Sequence, residues 1–190
     1  MHAQKPPLSR QLRIPLRVPG AKGNGSSAYA PAMITDRLAK LFVEQIAHEA
    51  RAHQLYLGMA VYFESQSLSR WAKLFRDQSV EEAGHANKIM QFLNDVGVPY
   101  DLPALKAAPT RYASALEVAQ AALESERRVT AQFRDISRAA LEENDHTSHQ
   151  FAQWFVEEQV EEERKVKGLI DLLESGINLF QAEPLLDSFE

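Results

Sequence analysis

The chain has 190 residues and a formal net charge of -5, with 45% hydrophobic and 25% charged residues, which is typical of one soluble globular domain. It contains no cysteine, so disulfides, thiolate zinc sites and cysteine nucleophiles are excluded. No apolar run reaches the roughly 18 residues needed to span a bilayer. We therefore expect a protein without membrane segments, and the lack of disulfides fits the reducing cytoplasm.

Residues 1–32 form a basic segment that differs from the rest of the chain. They include five Lys or Arg residues, no Asp or Glu, and five of the nine prolines. We predict a disordered extension, because such a composition buries little apolar surface. Two alternatives are a transit peptide and upstream sequence that precedes a true start at Met33. Residues 33–190 are predicted to form the domain.

Helical periodicity predicts four long helices in this domain. Short polar turns join the first helix to the second and the third to the fourth, so each pair is predicted to be antiparallel. About 17 residues without periodicity separate the pairs, which is long enough to run the length of a bundle. The predicted fold is an all-α four-helix bundle with one long crossover and a short C-terminal fifth helix. The predicted helices are Thr35–Glu64, Leu68–Asp95, Ser114–Glu143, Ser148–Ser175 and, as the fifth, Asn178–Phe189.

Each long helix carries an apolar stripe that polar residues interrupt near its middle. The interrupting residues are Glu49 on the first helix, Glu82 and His85 on the second, Glu126 on the third, and Gln159 and Glu162 on the fourth. Glu49 and Glu82 are separated by the same number of residues as Glu126 and Gln159, so the two hairpins place equivalent groups at one level.

These residue types point to a metal site. A buried carboxylate is costly unless it is neutralised, paired or bound to a cation. Four helices that each bury a carboxylate at similar depth therefore predict a shared site. A set of carboxylates with one imidazole suits iron better than calcium or magnesium. Manganese and zinc stay open, as does a non-enzymatic helical interaction protein whose polar core residues only pair with each other.

Three stretches carry a family resemblance: EQIAHEARAHQLYLGMAVYF, QSVEEAGHANKI and QWFVEEQVEEERKVKGLID. With them the chain resembles non-haem bacterial ferritins from about Ile34 to the C-terminus. The resemblance implies an iron-storage ferroxidase, which oxidises Fe2+ to Fe3+ with O2 or H2O2 at a di-iron centre. It also implies that ferric mineral is deposited inside a hollow shell of 24 identical subunits.

The resemblance implies a role for each polar residue of the stripes. It implies that Glu82 bridges two irons and that Tyr56 lies beside the centre, although Tyr56 also fits a packed core aromatic. The ligands of the first iron would be Glu49, Glu82 and His85. Those of the second would be Glu126 and Glu162, with Gln159 adjacent. A third iron site would be formed by Glu81, Glu158 and Glu161, with Glu162 shared.

Two alternatives to this family assignment concern haem and nucleic acid. Bacterioferritins hold haem through a methionine directly after the bridging glutamate, but here that residue is Ala83. Their fourth helix has a Glu-x-x-His motif, whereas this chain has Gln159-x-x-Glu162. We therefore expect no haem. Nucleic-acid binding through the basic N-terminal segment stays an alternative, because clustered Lys and Arg attract phosphates.

Overall fold

The computed structural model describes residues 32–189, and within that range it contains helices and no strand. The helices are α1 (Asp36–Glu64), α2 (Ser69–Asp95), α3 (Ala115–Glu142), α4 (His146–Glu174) and a short α5 (Leu179–Ala182), which continues into a 3-10 helix (Glu183–Phe189). The prediction of an all-α fold with four long helices and a short fifth one is confirmed. The predictions for residues 1–32 concern residues that, apart from Ala32, lie outside the described range.

Side-chain caps set where three of the long helices begin. Thr35 accepts a hydrogen bond from the backbone N–H of Leu38, and Ser114 accepts one from Glu117. Asp145 likewise accepts from the N–H of Ser148. Such a bond satisfies one of the unpaired N–H groups at a helix start. Because Asp145 is the cap, α4 begins at His146, two residues earlier than predicted.

Two hydrophobic clusters fill opposite halves of the bundle. One is centred on aromatic residues such as Phe63, Trp71 and Phe75. The other contains Phe42 and Phe133. The segments of α1 to α4 between these clusters carry the polar residues of the stripes. Leu116 of α3 and Phe151 of α4 belong to the apolar stripes, which predict buried positions for them, but both are only half-buried.

The long crossover between α2 and α3 lies against α1. A Cβ atom on Gly58 would come within 2.1 Å of the carbonyl oxygen of Pro109, so the backbones are in close contact there. Tyr112 packs edge-on against Tyr62, with ring centroids 5.6 Å apart. These contacts confirm a connection that runs along the bundle.

The C-terminal segment closes one end of the bundle. Trp71 Nε1 donates a hydrogen bond of 2.9 Å to the carbonyl oxygen of Leu179, and Leu186 is buried in the aromatic cluster. Among the described residues, no helix is both long enough and apolar enough to cross a membrane.

Candidate metal centre

A polar layer crosses the bundle between the two hydrophobic clusters. All four long helices contribute to it, and each of its residues is at most 5% exposed. The layer consists of Glu49 from α1, Glu82 and His85 from α2, Glu126 from α3, and Gln159 and Glu162 from α4. The inward orientation that the stripes predicted for these residues is confirmed.

Glu49, Glu82 and His85 form the α1–α2 cluster of this layer. One potential ligand atom from each of them lies within 4.8 Å of the others, and His85 Nδ1 lies 3.3 Å from Glu82 Oε2. Glu49 Oε2 and Glu82 Oε1 are buried and accept no hydrogen bond from an N–H or hydroxyl group of the described residues, although a protonated Glu49 can pair with Glu82. Because an unsatisfied buried carboxylate oxygen is costly, these atoms favour a proton or a cation. Carboxylate oxygens with one imidazole nitrogen are suitable ligands for iron.

Burial strongly perturbs the acids of the α1–α2 cluster. Loss of hydration raises the pKa of Glu49 well above its ordinary value, and the nearby charge of Glu82 raises it further. Burial likewise raises the pKa of Glu82, with a second contribution from the charge of Glu126. Without a metal ion these carboxyl groups therefore hold their protons to a higher pH than an exposed glutamate does. A bound cation would displace those protons and stabilise the carboxylates.

Glu126 and Glu162 form the α3–α4 pair, and the structure surrounds Glu126 with donors. Tyr56 donates its hydroxyl to Glu126 Oε1, and Gln159 Nε2 donates to Glu126 Oε2 at 3.0 Å. The same amide nitrogen lies 3.1 Å from the backbone carbonyl oxygen of Glu126. Burial raises the pKa of Tyr56 well above its ordinary value, and the charge of Glu126 adds to that rise. Tyr56 therefore stays protonated and acts as a donor to the carboxylate.

Glu162 also has a partner for each oxygen. Gln78 Nε2 donates to Glu162 Oε2 at 2.6 Å, and Lys165 Nζ donates to Glu162 Oε1 at 3.0 Å. Burial raises the pKa of Glu162 to about 7, although the hydrogen bond from Lys165 opposes that rise. The charges of Glu81 and Glu126 also contribute to the rise.

Aromatic side chains enclose His85 on the α4 side. Its ring lies edge-on to Trp154 and Phe155, with centroid distances of 5.8 and 5.6 Å. Lys88 Nζ lies 3.9 Å from the centre of the Trp154 ring, a cation–π contact. These contacts restrict the orientation of the imidazole, which is a requirement for a metal-ligating histidine.

The residues predicted for a third metal site do not all converge. Glu81 and Glu158 lie beside His85, and one potential ligand atom from each of the three falls within 4.8 Å of the others; we call this the outer cluster. Glu161 instead points to Arg164 and Lys165, with oxygen–nitrogen distances of 4.0 and 3.8 Å. Its side chain is exposed.

Comparison with known proteins identifies the family to which this chain belongs. The family model for the ferritin-like domain matches residues 39–175, which include every residue of the polar layer. This chain belongs to the ferritin family. Iron storage is the function that this membership supports, with iron as the metal that the family binds.

Curated relatives and a solved structure agree with this assignment. The ferritin is 37% identical to ferritin BfrB of Mycobacterium tuberculosis over 144 residues, which cover 75% of this chain and 80% of the relative. In another strain the same match is named bacterioferritin BfrB. The bacterial non-heme ferritin of Staphylococcus aureus is 33% identical over 141 residues, or 74% and 85% of the two chains.

The solved structure is an open pore ferritin from the archaeon Archaeoglobus fulgidus. It superposes with a TM-score of 0.77 at 31% sequence identity. The superposition covers 82% of this ferritin and 94% of that chain. The four-helix ferritin fold is therefore confirmed at the level of the backbone.

Three residues that contact the polar layer of this ferritin were missed by the sequence interpretation. Gln45 is 1% exposed and donates to Glu49 Oε1 at 2.7 Å. Gln78 and Lys165 are the two partners of Glu162. A helical signal for two of them was available, because Gln45 precedes Glu49 by four residues and Lys165 follows Glu162 by three. Gln78 likewise precedes Glu82 by four residues, but the carboxylate to which it donates is Glu162, across the bundle.

Proposed function

We propose that this ferritin is a ferroxidase that oxidises Fe2+ at a di-iron centre within each subunit. The observation that carries the proposal is the α1–α2 cluster, with two buried oxygens that have no partner among the described residues. The two carboxyl groups can pair with each other only while one of them keeps a proton, and a cation can replace that proton. Glu49, Glu82 and His85 each offer one potential ligand atom within 4.8 Å of the others, as a metal ion requires.

In this proposal Glu82 is the residue that joins the two metal positions. It shares the α1–α2 cluster with Glu49 and His85, and the charges of Glu126 and Glu162 act on it from the other side. The first Fe2+ would be held by Glu49, Glu82 and His85. The second would be held by Glu82, Glu126 and Glu162.

Tyr56 and Gln159 have a supporting role in the proposed centre. Both donate hydrogen bonds to Glu126, one to each oxygen. Such donors fix the orientation of a ligating carboxylate and tune its basicity.

Each Fe2+ is a substrate that gives up one electron. Two Fe2+ with O2 and two protons yield two Fe3+ and H2O2, and two Fe2+ with H2O2 and two protons yield two Fe3+ and two waters.

The remaining steps of the proposal concern the assembly. Fe3+ would leave the centre and deposit as ferric mineral inside a hollow shell of 24 identical subunits in the cytoplasm. The ferritin relatives and the archaeal ferritin structure support a shell-forming protein of this kind. The proposal includes no nucleic-acid partner, since the basic segment that suggested one lies largely outside the described residues.

The proposal also includes no haem. Ala83 follows Glu82 directly, and an alanine side chain cannot coordinate iron. An absorption spectrum after expression with added haem tests this point. A Soret band with a fixed haem-to-subunit ratio would contradict it and favour the bacterioferritin alternative.

The test of the main proposal is aerobic addition of Fe2+ to the metal-free, full-length protein. We expect rapid Fe3+ formation with consumption of O2, followed by iron-loaded particles on a sizing column. Iron counted in those particles should far exceed two per subunit. Slow oxidation at the rate of Fe2+ in buffer, with iron left outside the particle, would overturn the proposal.

A further inference from the structure

Lys165 places a positive charge among three acidic side chains beside the proposed centre. Its Nζ lies 3.0 Å from Glu162 Oε1, 3.8 Å from Glu161 Oε1 and 3.9 Å from Glu81 Oε2. The lysine side chain is 14% exposed. Three of the four glutamates predicted for a third iron therefore surround an ammonium group that belongs to the protein itself.

The side chain of Lys165 ends in an ammonium group, which is positively charged at neutral pH. The ammonium group provides three donors and no acceptor, so it suits a pocket lined by carboxylate oxygens. A divalent cation in the same pocket would face a like charge at contact distance.

We infer that Lys165 occupies the third cation position of this ferritin, so that each subunit takes up two metal ions at its centre instead of three. The inference rests on the proposed di-iron centre. The lysine neutralises part of the acidic charge that a third ion would otherwise neutralise. Glu158 is outside this group of contacts and lies instead in the outer cluster with His85.

The test counts metal ions in the assembled, full-length protein without oxidation. Anaerobic calorimetric titration with Co2+ is carried out on the wild type, Lys165→Met, Lys165→Arg and Lys167→Met. Lys165→Met keeps an unbranched side chain without charge, and Lys165→Arg keeps the charge. Lys167→Met is the matched control, because Lys167 pairs with Glu163 on the exposed face of α4. We expect three ions per subunit in Lys165→Met and two in the other three proteins.

Two results would overturn the inference: three ions in the wild type, or two in a folded Lys165→Met protein. A crystal of the wild-type protein soaked in Co2+ gives an independent answer if Lys165→Met does not assemble. Anomalous scattering should then show no cobalt among Glu81, Glu161 and Glu162, and a peak there would contradict the inference.

Failure of the di-iron proposal has a different signature. Glu82→Ala should lose Co2+ binding relative to the wild type if the centre exists. Equal binding by Glu82→Ala and the wild type would show that the centre itself is wrong, whatever Lys165→Met does.

Discussion

The two halves of the polar layer differ in how their carboxylate oxygens are hydrogen-bonded. In the α1–α2 cluster, Glu49 and Glu82 each have one buried oxygen without a hydrogen-bond partner among the described residues. In the α3–α4 pair, both oxygens of Glu126 and both oxygens of Glu162 accept hydrogen bonds from protein donors. The first half can therefore receive a cation with little rearrangement, whereas the second must first give up a hydrogen bond to Glu162.

This difference predicts an order of metal binding. Hydrogen bonds to charged groups contribute about 1.5–3 kcal/mol each. Releasing the bond that Gln78 donates to Glu162 therefore weakens metal binding at the α3–α4 side by about tenfold or more. We expect the first ion to bind at the α1–α2 cluster and the second to bind less tightly. The predictions below remove or alter one side of this comparison at a time.

The largest effect on Fe2+ oxidation is expected for Glu82→Ala, since Glu82 belongs to the α1–α2 cluster and is close enough to the α3–α4 pair for the charges of Glu126 and Glu162 to act on it. Fast Fe2+ oxidation should fall by more than about a hundredfold, because loss of a shared ligand exceeds the 10–100-fold effect of losing a supporting residue. The fold should survive, because removing one of several buried carboxyl groups relieves repulsion. Stopped-flow oxidation measures the rate, with Glu124→Ala on the exposed face of α3 as control. Wild-type kinetics in a folded Glu82→Ala protein would contradict the di-iron assignment.

The second prediction concerns pH and the metal-free protein. The pKa of Glu162 rises from an ordinary value of 4.5 to about 7 on folding, so the folded chain binds this proton more tightly than the unfolded chain. The contribution of this proton to the free energy of unfolding is present in full below pH 4.5. It is lost as the pH rises through about 7. The loss amounts to about 3 kcal/mol, because one pKa unit corresponds to about 1.4 kcal/mol.

Thermal unfolding of the metal-free protein between pH 5 and pH 8.5 measures this effect. Tm should fall with rising pH, and the fall should be smaller in Glu162→Gln, which has no proton to lose. Added Co2+ should restore Tm at high pH, because the cation replaces the protons of the acidic side chains. A Tm that rises with pH in the metal-free protein would show that these carboxyl groups are ionised when folded.

A smaller effect is expected for Tyr56→Phe, which changes only the α3–α4 side. The substitution removes the hydroxyl that donates to Glu126 and keeps the ring that packs 6.0 Å from Phe75. The initial oxidation rate should fall about tenfold, as for other supporting residues of metal ligands. Binding of the first Co2+ should be unchanged. Tyr62→Phe on the same helix is the control, and an equal loss in both variants would assign the effect to packing.

Much of this architecture was predictable because helical periodicity determines which face each residue occupies. Glu49, Glu82 and Glu126 were placed inward by their apolar neighbours three or four positions away, and all three are buried. Periodicity is less informative near helix ends. Phe151 lies in the second turn of α4 and stays half-buried, although its ring packs against Phe92.

Contacts between helices were not predictable in the same way. Gln78 donates to Glu162 across the bundle, and this contact depends on the axial register of α2 against α4. Lys165 was missed for another reason. Its Cα position follows from the sequence, but a four-carbon side chain can place its charge several ångströms from there. Because Lys165 extends this far, Glu161 pairs with it, whereas Glu158 lies in the outer cluster.

The smallest effect is expected for Glu158→Ala in the outer cluster. Glu158 is half-buried beside Glu81 and His85 and lies outside the α1–α2 cluster and the α3–α4 pair. The initial oxidation of two Fe2+ per subunit should therefore keep its wild-type rate. The later phase at excess Fe2+ should change by about twofold, because one acidic side chain next to His85 affects how ions reach or leave the centre. Stopped-flow traces at two and at many Fe2+ per subunit separate the phases. Loss of the first phase would make Glu158 a ligand of the centre and would require a different rotation of α4.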